Sequence, residues 1–190
     1  MNMIKDLYLE TQRLIIRPYT EEDLMECFYL MQDKELFKYK PMDVMTLDEY
    51  KGVFRWLIDS YTEGSEKKFA YSFNIILKET GVHIGWVGLG NLVTDPSLIE
   101  IFYLIGIKFQ KQGYATEASK AILEYGFNTM NLDEIVAVCM KENIASRRVM
   151  EKTGLKFRYI QKGLPKEFED CNGDPFYSLM KEEYLRTLNE

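Results

Sequence analysis

The stretch that most constrains this chain is Ile99 to Met130, IEIFYLIGIKFQKQGYATEASKAILEYGFNTM. Its first part, Ile99 to Phe109, is apolar apart from Glu100, Gly106 and Lys108. That pattern predicts a strand buried on both sides. From Tyr114 on, Ala115, Ala118, Ile122 and Tyr125 follow helical spacing. The link between them, Gln110-Lys111-Gln112-Gly113, is a tight turn, so a strand feeds a helix at once. The first amides of such a helix have no partner inside it, and the helix dipole is positive there. The turn is therefore an anion site suited to phosphate.

Gly106 interrupts the bulky run just before the turn. A glycine inside a strand marks a bulge or a close approach to the backbone. A ligand with phosphates on the helix start could lay an extended arm along the strand, pairing with its free backbone groups. A linear chain with two amides, such as pantetheine, has that shape.

Gln110-x-x-Gly113-x-Ala115, after a buried strand and before a helix, resembles the acetyl-CoA pyrophosphate loop of the GNAT superfamily of N-acetyltransferases. Two further segments resemble the same family. Glu10, Thr11, Arg13, Leu14, Arg17, Pro18 and Asp23 match the entry segment of the branch that contains the ribosomal-protein N-terminal acetyltransferases. Asn143-x-x-Ser146, with Gly154-Leu155 beyond it, is similar to the second cofactor wall and follows the loop at the right distance. The resemblance runs from about Thr11 to Tyr184. It implies acetyl-CoA as co-substrate, with no metal. The cofactor residues it implies are Leu104, Ile105, Gly106 and Ile107 on the strand, Gln110, Gln112, Gly113, Tyr114, Ala115 and Thr116 at the turn, and Asn143 and Ser146 on the second wall.

Composition sets the outer bounds. The chain has 190 residues, 46% hydrophobic and 28% charged, which fits one folded domain over residues 1–190. The formal net charge of −6 argues against a direct nucleic-acid binder and suits a cationic acceptor such as an amine. Cys27, Cys139 and Cys171 are widely spaced and form no CxxC pair, so neither a zinc site nor a disulfide framework is indicated. The start MNMIKDLYLE lacks the apolar core of a signal peptide, and no run is long enough to span a membrane. A cytoplasmic protein, monomer or homodimer, is expected.

The remaining elements fall in order along the chain. Glu10 to Pro18 predicts a first strand, and Thr20 to Asp23 a capped helix start with Leu24, Phe28 and Met31 buried. Asp33 to Met45 predicts a loop, and Thr46 caps a second helix ending near Gly64. Phe37, Tyr39, Phe54 and Trp56 are candidates to line the acceptor wall. Phe69 to Leu77 and His83 to Val93 predict a hairpin, with His83 an exposed structural residue beside the turn. A short strand is expected within Leu132 to Cys139, a helix after Asn143, strands over Lys156–Gly163 and Pro175–Met180, and a last helical turn over Lys181–Leu185. The expected fold is α+β: a mostly antiparallel sheet of about six to seven strands flanked by about four helices.

Acetyl transfer to an amine needs a base, donors for the carbonyl oxygen and an acid for the leaving thiolate. Glu100, Glu167, Tyr103 and Ser146 are the candidate catalytic residues. Glu100 is the acid within the buried strand, and burial raises a carboxyl toward a useful range. Many relatives in the superfamily have a tyrosine acid seven residues after the Asn; here Met150 stands there. Ser146, Tyr103 or water must take its place. Cys139, among Val136, Ala137 and Val138, reads as a buried, inert thiol. The reading is direct transfer from acetyl-CoA to a primary amine, on a protein or peptide N-terminus, a polyamine or another small amine. Its rival is a non-catalytic acyl-CoA-binding module.

Overall fold

The computed structural model describes residues 4–39, 43–62 and 70–188. Pro41, Met42, Gly64 and Phe69, which figure in the sequence reading, lie outside the described residues.

Eight strands form one sheet: β1 Leu9–Glu10, β2 Leu14–Arg17, β3 Ala70–Leu77, β4 His83–Leu92, β5 Asp95–Ile105, β6 Glu134–Val138, β7 Lys156–Ile160 and β8 Pro175–Met180. Their order is β1-β2-β3-β4-β5-β6-β8-β7. Every neighbouring pair is antiparallel except β5 and β6. The expected count of six to seven strands is exceeded by the two-residue β1. Five α-helices are described: α1 Leu24–Leu30, α2 Leu47–Ser60, α3 Tyr114–Asn128, α4 Ile144–Lys152 and α5 Lys181–Thr187.

Local chemistry explains most boundaries. Thr46 and Glu49 cap α2 reciprocally: the Thr46 backbone N–H and hydroxyl donate to the Glu49 carboxylate at 2.8 and 2.7 Å. Thr20 and Asp23 do the same ahead of α1, though Glu21–Asp23 is a 3-10 turn before the α-helix begins. Gly81, at φ +72, turns β3 into β4. Gly154, at φ +93, stops the chain after α4.

The core runs through the sheet. Ser72 to Ile76 are buried without a break, so β3 is covered on both faces. α3 packs across β2, β4 and β5, while α1 and α2 pack together against β4 and β3. Cys27 is buried at 1% exposure in the same core cluster as Leu36, Phe37 and Phe54. Gly88 lies under the Phe102 ring; a Cβ there would sit 2.5 Å from that ring and collide with the Tyr71 carbonyl oxygen.

Several expectations are corrected. The central strand ends at Ile105, not Phe109: Phe109 N–H donates to the Gly106 carbonyl at 2.8 Å and curls Ile107–Phe109 into a 3-10 turn. Ile107 is therefore exposed and off the strand. Gly106 is buried at the strand's end rather than within it, and its missing Cβ makes room for Leu30 of α1 at 3.0 Å. His83 is not exposed but buried at 3% exposure, with its Nδ1 against the Asn74 side-chain oxygen. Phe37 and Phe54 are core residues rather than acceptor-wall linings, Phe54 lying between the Tyr19 and Tyr50 rings. Trp56 is exposed.

Candidate active site

The site forms where the sheet splits. β5 pairs with β6 through the single register Glu100↔Val136, and beyond that rung the parallel strands part. On the other side β5 stays zipped to β4, and Gly106 N–H donates to the Ile84 carbonyl at 2.8 Å. Backbone groups alternate sides along an antiparallel ladder. The amides of Tyr103 and Ile105 therefore turn toward the split. An extended arm can pair there as a short false strand, and Leu104 and Ile105 are buried in the wall behind it. Gln110 closes the end of the groove by donating its side-chain amide to the Ile105 carbonyl at 2.9 Å.

The loop expected to cradle phosphate follows directly. Gly113 is the N-cap of α3 with φ +86, a left-handed conformation that glycine adopts at little cost. Lys111 is also left-handed at φ +62. The first intrahelical bond runs from Glu117 N–H to the Gly113 carbonyl at 3.0 Å. The amides of Tyr114, Ala115 and Thr116 precede it and have no acceptor in the helix, so they are available to an anion. The Gln112 side chain is spent inside the loop, donating to the Lys108 carbonyl at 3.2 Å.

The cradle is tied to the start of the chain, which sequence reading did not foresee. The Arg13 backbone N–H and side-chain Nε donate to the Glu117 carboxylate at 2.8 and 2.7 Å, and the Thr11 hydroxyl adds a bond of 2.6 Å. Burial pushes this carboxyl up, but the bonds from Thr11 and Arg13 outweigh it and hold Glu117 below the ordinary carboxylate range. The matched Thr11-x-Arg13 segment was the available signal, though it named no partner.

The second wall is α4. The Asn143 side chain accepts from Ser146 N–H at 3.1 Å and caps the helix, so that oxygen is committed to structure. The Tyr103 hydroxyl bridges the split, donating to the Ser146 carbonyl at 3.0 Å and lying 2.9 Å from the Ser146 hydroxyl. Burial pushes the Tyr103 phenol well up, against the pull of its Ser146 hydrogen bond, so it is protonated at neutral pH. Met150 is buried at 2% exposure in the core and presents nothing to the split.

Glu100 and Glu167 are not alike. Glu100 is half-buried on β5, and its Oε1 accepts from Val138 N–H at 3.4 Å, across the gap beside the last rung. Glu167 is exposed on the 3-10 turn Lys166–Cys171. Cys139 is half-buried rather than fully buried, and burial pushes its thiol up to about 11, so it is a poor nucleophile at neutral pH. Among the described residues no cluster of His, Cys, Asp and Glu could hold a metal, and no helix is long and apolar enough to cross a membrane.

Comparison with known proteins bears on the family. Residues 13–156 match the acetyltransferase (GNAT) domain. The chain is 31% identical over 179 residues to an uncharacterised N-acetyltransferase of Bacillus subtilis, YnaD, covering 94% of this chain and 99% of that one. It is 26% identical over 143 residues to the spermidine N(1)-acetyltransferase of Escherichia coli K12, covering 73% and 70%. A solved GNAT-family acetyltransferase from Bacillus anthracis superposes with a TM-score of 0.75 at 26% identity, over 93% of this chain and 99% of that one. A split sheet, a helix start with open amides and these matches lead to one conclusion: the chain belongs to the GNAT family and is an acetyl-CoA-dependent N-acetyltransferase.

Proposed function

We propose that this enzyme, acting as one domain over residues 1–190, transfers the acetyl group directly to a primary amine in a ternary complex, with Tyr103 and Ser146 supplying the proton to the leaving thiolate. The observation that carries the reading is the Tyr103–Ser146 hydroxyl pair, which joins β5 to the start of α4 beyond the rung where β5 and β6 part. Coenzyme phosphates sit on the amides of Tyr114, Ala115 and Thr116, and the pantetheine arm pairs with Tyr103 and Ile105. That brings the thioester toward the hydroxyl pair. The Ser146 hydroxyl gives its proton to the sulfur and takes the phenol proton of Tyr103 in its place, and solvent reprotonates Tyr103 after CoA leaves. The pair thereby takes the role of the tyrosine acid whose position Met150 occupies.

The amine must be neutral to attack. A lysine-like amine of pKa ~10.4 is neutral in about one part in 10³ at pH 7. Glu100 is the candidate base, because it is half-buried and stands beside the split. Glu167, exposed, acts as an attracting charge. The acceptor is a cationic primary amine, such as a polyamine, another small amine or a protein N-terminus. Two things support this. Acids outnumber bases between Thr20 and Thr62, and the end of α1 within that stretch meets the end of β5, where Leu30 packs on Gly106. One relative is a spermidine acetyltransferase.

The test is CoA release from acetyl-CoA, read with a thiol reagent against a panel of polyamines, small amines and N-terminal peptides, with CoA-induced thermal shift in parallel. A shift with acceptor-dependent release is expected. A shift without release from any member would replace amine acetylation with acyl-CoA binding alone. No shift would overturn the phosphate cradle.

A further inference from the structure

We infer that Arg13, supported by Thr11, is a positioning residue for the pyrophosphate of the coenzyme: it aims the Gly113 amide at the anion and neutralises the acid buried in the first turn of α3. This rests on the coenzyme site described under Proposed function and adds a residue far from it in sequence.

The Arg13 guanidinium has three separate holds on the loop. Its Nη1 donates to the Gln112 carbonyl at 3.0 Å. Its Cζ lies 4.4 Å above the centre of the Tyr114 ring. Its Nη2 stands 3.4 Å from where a Cβ on Gly113 would be, so the group rests against that glycine. The first hold has a geometric consequence. In a planar trans peptide the carbonyl and the following N–H point in opposite directions. Fixing the Gln112 carbonyl toward Arg13 therefore turns the Gly113 N–H away from it, beside the amides of Tyr114 and Ala115. The loop needs such an outside hold, because Lys111 is left-handed, which is costly for a residue with a side chain.

The second part is electrostatic. Glu117 lies in the first turn of α3, and its side chain is only 17% exposed. Unpaired, that carboxylate would oppose a diphosphate one turn away. Arg13 Nη2 pairs with it at 2.6 Å and Nε at 2.7 Å, a two-pronged contact that lysine cannot reproduce. Thr11 fixes the same carboxylate to β2, since its hydroxyl donates to Glu117 while it accepts from Leu14 N–H at 3.0 Å.

The discriminating measurement is kcat and KM of Arg13→Met and Arg13→Lys with acetyl-CoA and with S-acetylpantetheine, which has the arm and no pyrophosphate. For Arg13→Met the acetyl-CoA KM should rise about 10- to 100-fold, the effect of losing a charge-assisted hydrogen bond, with kcat nearly unchanged. Its kcat/KM with S-acetylpantetheine should match the wild type. Arg13→Lys keeps the charge and loses the fork, so it should show a smaller rise on acetyl-CoA alone; it carries the comparison if the methionine variant does not fold. Equal losses on both donors would make Arg13 a structural residue and overturn the inference, as would no loss on either. A wild type with no preference for acetyl-CoA over S-acetylpantetheine would instead overturn the coenzyme site itself.

Discussion

The Tyr103 hydroxyl lies 2.9 Å from the Ser146 hydroxyl across the gap between β5 and the start of α4, although 43 residues separate the two in sequence. If this pair is one proton-delivery unit, Tyr103→Phe and Ser146→Ala should each lower kcat by about 10²-fold with little change in the acetyl-CoA KM. The double variant should fall little further than the worse single one, because groups acting as a unit are not additive. Steady-state kinetics of all three decide it; multiplied losses would separate the two residues.

Glu100 and Glu167 should differ in kind. Glu100→Gln keeps an oxygen that can accept from Val138 N–H, so the split is retained while the base is lost. Its kcat should drop by about 10²-fold near pH 7, and the deficit should shrink as pH approaches the pKa of the acceptor amine. Glu167→Gln should raise the KM of a polyamine modestly and only at low salt, since the residue is exposed. A pH-independent deficit in Glu100→Gln would remove it from the role of base.

His83 makes stability depend on pH. Burial lowers it from its ordinary 6.5 to about 4, against the pull of Asp23 and helped by Arg17. Between those values the unfolded chain binds a proton that the folded chain refuses. Stability is therefore full above about pH 6.5 and falls as pH drops toward 4, by up to about 3 kcal/mol from this residue. Urea unfolding from pH 4.5 to 7.5 should show a shallower slope in His83→Gln than in the wild type. Equal slopes would refute the assignment.

Gly88 has no room for a side chain, because the Tyr71 carbonyl and the Phe102 ring occupy the space. Gly88→Ala should cost about 1–3 kcal/mol through overpacking. Gly163→Ala is the control: nothing lies within 4 Å, and only its φ of +68 resists the change, at about 1 kcal/mol. Thermal unfolding of the two variants should rank them in that order, and the reverse order would contradict the packing around β4.

Much of the fold was legible because its signals are local. The caps at Thr46 and Asn143, the turn glycines Gly81, Gly113 and Gly154, and the strand Pro175–Met180 each act over a few residues. Errors arose where a neighbour distant in sequence took over. The strand stopped short at Ile105 because Gly106 packs under Leu30 and the chain curls after it. His83 is the one histidine in the chain, and a polar residue beside a turn reads as exposed; its burial follows from the Tyr19 ring and Asn74 around it.

By itself the sequence determined that a buried strand feeds a glycine turn and a helix start, because side-chain periodicity and backbone freedom are written residue by residue. It thereby pointed to an anion cradle and, through resemblance, to the acetyl-CoA chemistry. Only the tertiary structure decided what surrounds that cradle. The split beside β5 exists because one rung holds β5 to β6 before they part. Tyr103 meets Ser146, and Arg13 reaches Gln112 over 99 positions, only once the sheet has formed. Such contacts are set by how the strands and helices pack, and no local pattern encodes that distance.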